Sequence, residues 1–126
     1  MKTSVFLLGS LVCGLASPSL AQTPHQGSVK VAAAQILTDT HDLQRNRCKI
    51  MDSIRQAKSR ACDIVLFHEG CLTGSPNREQ LKSLDFALVR QAELEIRDLA
   101  KELNIAVLLG STGQQDDQFL NYVLVI

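Results

Sequence analysis

The stretch Ile64-Val65-Leu66-Phe67-His68-Glu69-Gly70 decides how this sequence is interpreted. Its four consecutive apolar residues predict a strand buried on both faces of a sheet. The run ends at a carboxylate, Glu69, followed by a glycine that permits a sharp turn. In open α/β sheets, ligands and chemistry gather at the carboxyl ends of such strands. Glu69 is therefore a candidate general base, although a carboxylate at this position can also face solvent or cap the next helix.

Strand and helix patterns alternate on both sides of this stretch, with apolar residues at helical spacing in two long segments. A loop over residues 71–77 is punctuated by glycine and proline. The predicted elements are strands over residues 29–36, 64–69, 105–110 and 119–126, helices over 41–61 and about 84–103, and a hairpin connection at 114–117. This β-α-β-α-β-β order predicts an α/β layered fold with right-handed crossovers.

Local signals mark where several of these elements begin and end. Thr38, Asp39 or Thr40 is expected to cap the first helix, and Asn104 is expected to end the second helix in a left-handed conformation. The segment 110–113, Gly-Ser-Thr-Gly, suggests a small turn. The expected apolar stripe of the second helix consists of Leu88, Ala92, Ile96, Leu99 and Leu103.

The amino terminus has the features of a signal peptide over residues 1–21. A positive start at Lys2 precedes a short apolar segment, and Ser19-Leu20-Ala21 supplies the small residues that a signal peptidase recognises. We therefore expect cleavage after Ala21, a flexible leader over 22–28, and a secreted or periplasmic protein. Val12 precedes Cys13 where a lipid anchor needs a small residue, and the remaining alternative is an uncleaved amino-terminal anchor.

Composition narrows the classes of partner. Removal of residues 1–21 leaves 105 residues with 12 basic and 13 acidic side chains, a balance that argues against nucleic acid. We predict no further membrane span, no cofactor and no metal, since the cysteine spacings match no common zinc pattern. The three remaining cysteines are assumed to form no disulfide: Cys48, Cys62 and Cys71. Neither Gly-x-Gly-x-x-Gly nor a Walker lysine supports a nucleotide-binding function.

Short motifs in a specific order carry a family resemblance. They are Val29-Lys30-Val31-Ala32-Ala33-Ala34-Gln35, Asp42-Leu43 with Asn46, residues 61–69, Leu72-Thr73-Gly74, Leu109-Gly110-Ser111 and Asn121-Tyr122. In this order, residues 29–126 resemble the amino-terminal part of the carbon–nitrogen hydrolase family, the nitrilase superfamily. The resemblance implies an incomplete αββα sandwich. It also implies a Glu-Lys-Cys triad in which the cysteine attacks an amide or nitrile carbon, the glutamate is the base and the lysine stabilises charge.

Only the glutamate of this triad maps onto the chain, at Glu69. The family's lysine and cysteine follow the strand that here ends at Ile126, so we expect an exported amidase or nitrilase-type hydrolase fragment that is inactive alone. A small amide or nitrile would be its substrate, and a homo-oligomer is possible. Two residues depart from the family pattern: His68 replaces a usual proline and is interpreted as a packed or solvated spacer, and Ser75 replaces a common aromatic residue.

Local residues are poor substitutes for the missing pair. Cys71 lies two positions from Glu69 but is interpreted as a small loop residue, because nothing in the spacing supplies an oriented oxyanion site. Lys82 is expected to be solvated, and Lys30 is the other nearby cation in the sequence. The alternative function is a non-catalytic secreted α/β binding or interaction module.

Overall fold

The computed structural model describes the backbone of residues 4–7 together with residues 27–40 and 42–126. Its elements are β1 (Ser4–Leu7), β2 (Val31–Gln35), α1 (Leu43–Ser59), β3 (Ile64–Phe67), α2 (Arg78–Lys82), α3 (Phe86–Leu103), β4 (Ala106–Gln115) and β5 (Gln118–Val125). From β2 onward this is the predicted β-α-β-α-β-β order, with the short helix α2 added. The predicted α/β class is confirmed.

In the part of the chain that the structure describes, five strands form one sheet in the order β1-β2-β3-β4-β5. The central strands β2, β3 and β4 are parallel, while β1 and β5 pair antiparallel at the two edges. Parallel neighbours require crossover connections, and α1 and α3 supply them. All three central strands therefore end at the same edge of the sheet, where the residues after β3 and the far half of β4 come together.

Most of the predicted signal peptide and leader lies outside the described residues, as does His41, where the first helix was predicted to start. The exception is β1, whose backbone pairs with Ala32 to Gln35 of β2. Signal cleavage remains a prediction. Cleavage after Ala21 would remove β1 and leave β2 as the edge strand on that side.

Helix α1 starts after its predicted caps, because Asp42 is the N-cap in place of Thr38, Asp39 or Thr40. The Oδ1 atom of Asp42 accepts a hydrogen bond from the backbone N–H of Arg45 at 2.8 Å. A side-chain oxygen in this position satisfies one of the four N–H groups that a helix start leaves without partners. The predicted caps were wrong because they lie in the loop before the helix.

Helix α3 matches its prediction closely but buries a different residue near its start. Asp85 is its N-cap and accepts a backbone hydrogen bond from Leu88 at 3.2 Å. The Leu88 side chain was expected in the apolar stripe, yet it is 53% exposed, and Val89 is buried instead. Asn104 ends the helix with a φ of 47°, which confirms the predicted left-handed terminator.

The segment 110–113 is strand and not the predicted turn. It lies in the middle of β4 and pairs with Leu120 to Val123 of β5. The hairpin predicted at 114–117 is confirmed, with Asp116 and Asp117 as its two connecting residues. Glycine normally signals a turn, but within a strand it can also mark a close approach between backbones, and Gly110 is such a position.

Helix α2 was not predicted, since only five residues carry it. A capping box defines its start: Oδ1 of Asn77 accepts from the backbone N–H of Gln80 at 3.0 Å, and the Gln80 side chain accepts from the Asn77 N–H at 2.8 Å. Reciprocal capping of this kind allows a single helical turn to form. The helix places Leu81 beside the loop that follows β3.

The hydrophobic core lies between the sheet and the paired helices α1 and α3. Alternate strand residues such as Val65 and Val107 are fully buried beneath them. On β5, Leu124 packs against this core, whereas Val123 and Val125 are 61% and 77% exposed. Because successive strand residues point to opposite faces, the face of the sheet away from the helices is open and apolar at β5.

Candidate active site

Glu69 lies two residues after β3, at the carboxyl edge of the parallel strands. Its side chain is exposed, but it lines a cavity of about 460 Å³. One wall of the cavity is the loop after β3, including Ser75 and Pro76, and the other is the β5 segment from Phe119 to Asn121. The position predicted from the sequence thus belongs to a concave surface and not to a featureless one.

Two glycines allow the backbone around Glu69 to adopt this shape. Gly70 has a φ of +66°, and a Cβ atom there would lie 2.2 Å from the carbonyl oxygen of Gly74. The backbone turn from Gly70 to Gly74 is closed by a hydrogen bond from the Gly74 N–H to the Gly70 carbonyl oxygen at 2.7 Å. On the neighbouring strand, a Cβ at Gly110 would lie 2.9 Å from the Cα of Glu69. Glycine at both positions is therefore required by close backbone approach.

The loop that follows Glu69 is anchored to the core by buried polar side chains. Asn46, on α1, donates to the carbonyl of Leu72 at 3.0 Å and to the carbonyl of Asp39 at 2.6 Å. The hydroxyl oxygens of Thr73 and Thr112 lie 3.0 Å apart and share a hydrogen bond. These contacts tie the loop to α1 on one side and to β4 on the other, so the backbone beside Glu69 is held from two directions.

Asn121 is the polar partner of the Glu69 carboxylate. Its side-chain amide donates a hydrogen bond to Oε1 of Glu69. Asn121 pairs with Thr112 in the β4–β5 ladder, so its location is fixed by the hairpin register. The sequence offered Asn121 only as part of a family motif and assigned it no role, because the contact spans 52 residues of chain.

His68 contacts backbone carbonyls and not the Glu69 carboxylate. Its Nδ1 lies 2.8 Å from the carbonyl oxygen of Glu69 itself, and its Nε2 lies 3.0 Å from the carbonyl oxygen of Ile36. The ring is half-buried between the ends of β2 and β3. His68 thus joins the two strand ends, which agrees with its interpretation as a packed residue.

Cys71 is close to Glu69 in sequence but is unsuited to nucleophilic attack. Its side chain is fully buried, and its Sγ donates to the carbonyl of Gly110 at 3.3 Å. Burial raises the pKa of the Cys71 thiol from 9.0 to about 12, against a smaller opposing effect of backbone hydrogen bonds. Because the thiolate is the reactive form, the interpretation of Cys71 as a structural loop residue is confirmed.

Neither of the two lysines considered as substitute cations lines the cavity. Lys30 donates from Nζ to the carbonyl of Arg60 at 2.6 Å, near the amino ends of β2 and β3. Lys82 is solvated on α2, as predicted, and forms an ion pair with Glu79 at 2.7 Å. Among the described residues that line the cavity, Glu69 is the one charged side chain.

Other reactive or ligating groups are dispersed in the described parts of the chain. Cys48 is exposed on α1, Cys62 is buried, and both, like Cys71, are free thiols. Within residues 27–40 and 42–126, no three His, Cys, Asp or Glu side chains converge as a metal site would require. In the same residues, none of the helices has the length and apolar character needed to cross a bilayer.

The chain is similar to known proteins in both sequence and fold. The family model described as carbon-nitrogen hydrolase matches residues 30–126, whereas no curated protein matches the chain significantly. Sixteen chains of solved structures match. One is a glutamine-dependent NAD(+) synthetase from Cytophaga hutchinsonii, with a TM-score of 0.64 and 23% sequence identity. The match covers 79% of the present chain and 17% of that chain. At this identity, the likeness establishes a shared fold.

Proposed function

The chain belongs to the carbon–nitrogen hydrolase family, and we propose that Glu69 is its general base in the hydrolysis of a small amide. The observation that supports this role is the position of the carboxylate. It lines a cavity of about 460 Å³ at the carboxyl edge of the parallel strands and is hydrogen-bonded by Asn121. Pockets of this size are typical of small-molecule sites.

The proposed reaction uses a cysteine thiol and a lysine in addition to Glu69. Glu69 accepts the proton of the thiol, and the thiolate attacks the amide carbon to form a tetrahedral adduct. The C–N bond then breaks, the leaving amine takes the proton from Glu69, and a thioester remains. Glu69 next removes a proton from water, which attacks the thioester and releases the acid and the free thiol. The lysine stabilises the oxyanion in both stages.

The cysteine and the lysine are not residues of the described cavity. In the family's order both follow the strand that is β5 here. The open face of the sheet, with Val123 and Val125 exposed, is the face on which we propose that the second sheet of an αββα sandwich packs. Glu69 and Asn121 lie at the end of the same open region, so a second layer would enclose them.

The lining of the cavity favours an uncharged substrate. Pro76, Leu81, Phe119 and Leu120 provide apolar surface, and Glu69 is the charged residue among the described lining residues. A substrate carboxylate placed here would meet like charge. We therefore propose a neutral aliphatic amide as the substrate class, with nitriles as the second class to be tested.

Trapping of the acyl intermediate tests this function. The protein should be expressed from its gene together with any coding sequence beyond codon 126, mixed with neutral amides and nitriles, and quenched in acid. Intact mass spectrometry is expected to show an acyl group on one cysteine. Glu69→Gln is expected to slow adduct formation by at least about 100-fold, whereas Asp117→Asn, an exposed carboxylate on the hairpin, should not. An adduct that forms equally fast without Glu69 would exclude the proposed base.

Two further proposals concern the 126-residue polypeptide itself. With Glu69 as its sole matched triad member, it should release no ammonia from any of these amides.

If it is exported with cleavage after Ala21, amino-terminal sequencing of the secreted product should begin at Gln22. Ammonia release that Glu69→Gln abolishes, or an intact Met1 terminus outside the cytoplasm, would contradict the first and second proposal respectively.

The alternative, a non-catalytic secreted module, is favoured by the exposed valines of β5, which could bind a partner. The coding sequence beyond codon 126 distinguishes the two functions. An open frame that leads to a lysine motif and a later cysteine supports the hydrolase, and a stop codon supports the module.

A further inference from the structure

A buried carboxylate on α3 links the helix to both strands of the hairpin. Glu93 is 2% exposed. Its Oε1 accepts hydrogen bonds from the hydroxyl of Ser111 on β4 and the hydroxyl of Tyr122 on β5, each at 2.6 Å. Its Oε2 accepts from Nη1 of Arg90 at 3.1 Å. A carboxylate away from water needs such donors, because burial of an unpaired charge is strongly unfavourable.

Two adjacent residue pairs of the β4–β5 ladder connect the Glu93 contact on the helix face of the sheet with the Glu69 contact on the opposite face. Tyr122 pairs with Ser111, and the adjacent Asn121 pairs with Thr112. Since neighbouring strand residues point in opposite directions, Tyr122 faces the helix while Asn121 faces the cavity. A contact that holds the backbone at Tyr122 therefore also holds the backbone of the adjacent Asn121, from which the Asn121 side chain extends.

This attachment matters because β5 is the last strand of the described sheet. Besides its ladder with β4, β5 is held to the helical layer by the Glu93 contact and by stacking of Phe119 on Phe86, with ring centroids 6.1 Å apart. The Phe119 contact lies nearer the hairpin, so the Glu93 contact acts closest to Asn121.

From these contacts we propose that Glu93 is a positioning residue: by holding Ser111 and Tyr122, it fixes the part of β5 that presents the Asn121 amide to Glu69. The proposal rests on the proposed function only in naming Glu69 as the base. The contact itself can be measured in the folded chain without turnover, so a failure of hydrolysis and a failure of positioning are separate results.

The sequence provides a clean probe, since Tyr122 is its one tyrosine and it contains no tryptophan. Burial, then the hydrogen bond and the negative charge of Glu93, raise the pKa of Tyr122 above its ordinary 10.0, while Ser111 and Arg90 act in the opposite direction. Phenolate absorbance should show that Glu93→Gln lowers the Tyr122 pKa. Glu95→Gln, on the same helix but paired with Arg47, should leave the Tyr122 pKa unchanged.

The decisive readout is the Asn121 side-chain amide in a ¹H–¹⁵N correlation spectrum at neutral pH, assigned by its loss in Asn121→Asp. Glu93→Gln is expected to move this resonance pair by more than the Glu95→Gln control does. If Glu93→Gln does not fold, as judged by circular dichroism, Tyr122→Phe keeps the ring and the other two donors and should also move the pair. An unmoved Asn121 amide in a folded variant, or an unchanged Tyr122 pKa in Glu93→Gln, would overturn the proposal.

Discussion

The side-chain amide of Asn121 donates a hydrogen bond to Oε1 of Glu69 and so connects the edge strand β5 to the end of β3. The two residues are 52 positions apart, and the parallel sheet brings them together. An amide donor fixes the rotamer of a carboxylate and leaves its second oxygen available to accept a proton. This arrangement is what a general base at the edge of a cavity requires.

Replacement of Asn121 by Leu should remove this hydrogen bond while keeping a side chain of similar size. The free energy of unfolding is expected to fall by about 0.5–1.5 kcal/mol, since the bond is partly open to water. Urea denaturation followed by circular dichroism measures the change. Gln118→Leu, an exposed amide on the same strand, is the control and should have a smaller effect. An equal effect of the two substitutions would show that the Asn121 contact contributes nothing.

Gly110→Ala should disturb Glu69 through the backbone. The new Cβ would lie 2.6 Å from the carbonyl oxygen of His68 and 2.9 Å from the Cα of Glu69, so one strand must move. We expect a loss of about 1–3 kcal/mol in the free energy of unfolding, together with shifted backbone amide resonances at residues 68–70. Gln115→Ala, at an exposed position on the same strand, serves as the control. Unchanged resonances at 68–70 would contradict the close approach.

Stability at high pH should depend on Cys71. The pKa of its thiol is about 12 in the folded chain and 9.0 in the unfolded chain, so the unfolded state loses this proton first. The free energy of unfolding therefore falls as pH rises from 9.0 toward 12, by up to about 1.4 kcal/mol per pH unit. Cys71→Ala should flatten this dependence, whereas Cys48→Ala, an exposed thiol, should not.

Urea unfolding at a series of pH values measures both variants. Tyr122 and the other ionisable groups are present in every protein compared, so their contributions cancel in the differences. Parallel stability curves for wild type and Cys71→Ala above pH 9.0 would show that the folded thiol has an ordinary pKa.

Asp42→Ala should destabilise α1 by about 1 kcal/mol, because the N-cap oxygen that accepts from Arg45 at 2.8 Å is lost. Thr38→Ala, at a position that the sequence suggested as a cap, should have a smaller effect. Urea denaturation of the two variants compares them. A larger loss of stability in Thr38→Ala than in Asp42→Ala would show that Thr38 caps the helix, as the sequence suggested.

Periodicity was sufficient to predict the layered fold, because the apolar stripes of α1 and α3 and the apolar runs of the central strands each follow one repeat. The errors occur where one residue type serves two purposes. Gly110 suggested a turn, but its missing side chain allows β4 to approach the backbone of Glu69. Leu88 fitted the apolar spacing, but the face of α3 that packs on the core carries Val89, which is buried in its place.

The candidate site was predictable only in part. Glu69 could be proposed as a site residue because a carboxylate directly after a buried strand is a local signal, and its role as a base stays a prediction. Asn121 and Glu93 could not, since their contacts depend on the register of β4 against β5 and on the face of α3 that meets the hairpin. Neither quantity can be derived from one sequence, and both were fixed by tertiary packing.

Ammonia release tests most directly whether Glu69 is the base of a hydrolase. Initial rates with a neutral aliphatic amide should be measured for wild type, Glu69→Gln and Asp117→Asn, each expressed with any coding sequence that follows codon 126. We predict that Glu69→Gln lowers kcat by at least about 100-fold with little change in KM, since the substituted side chain has the same shape, and that Asp117→Asn retains wild-type rates. A Glu69→Gln protein with the wild-type kcat would contradict the assignment.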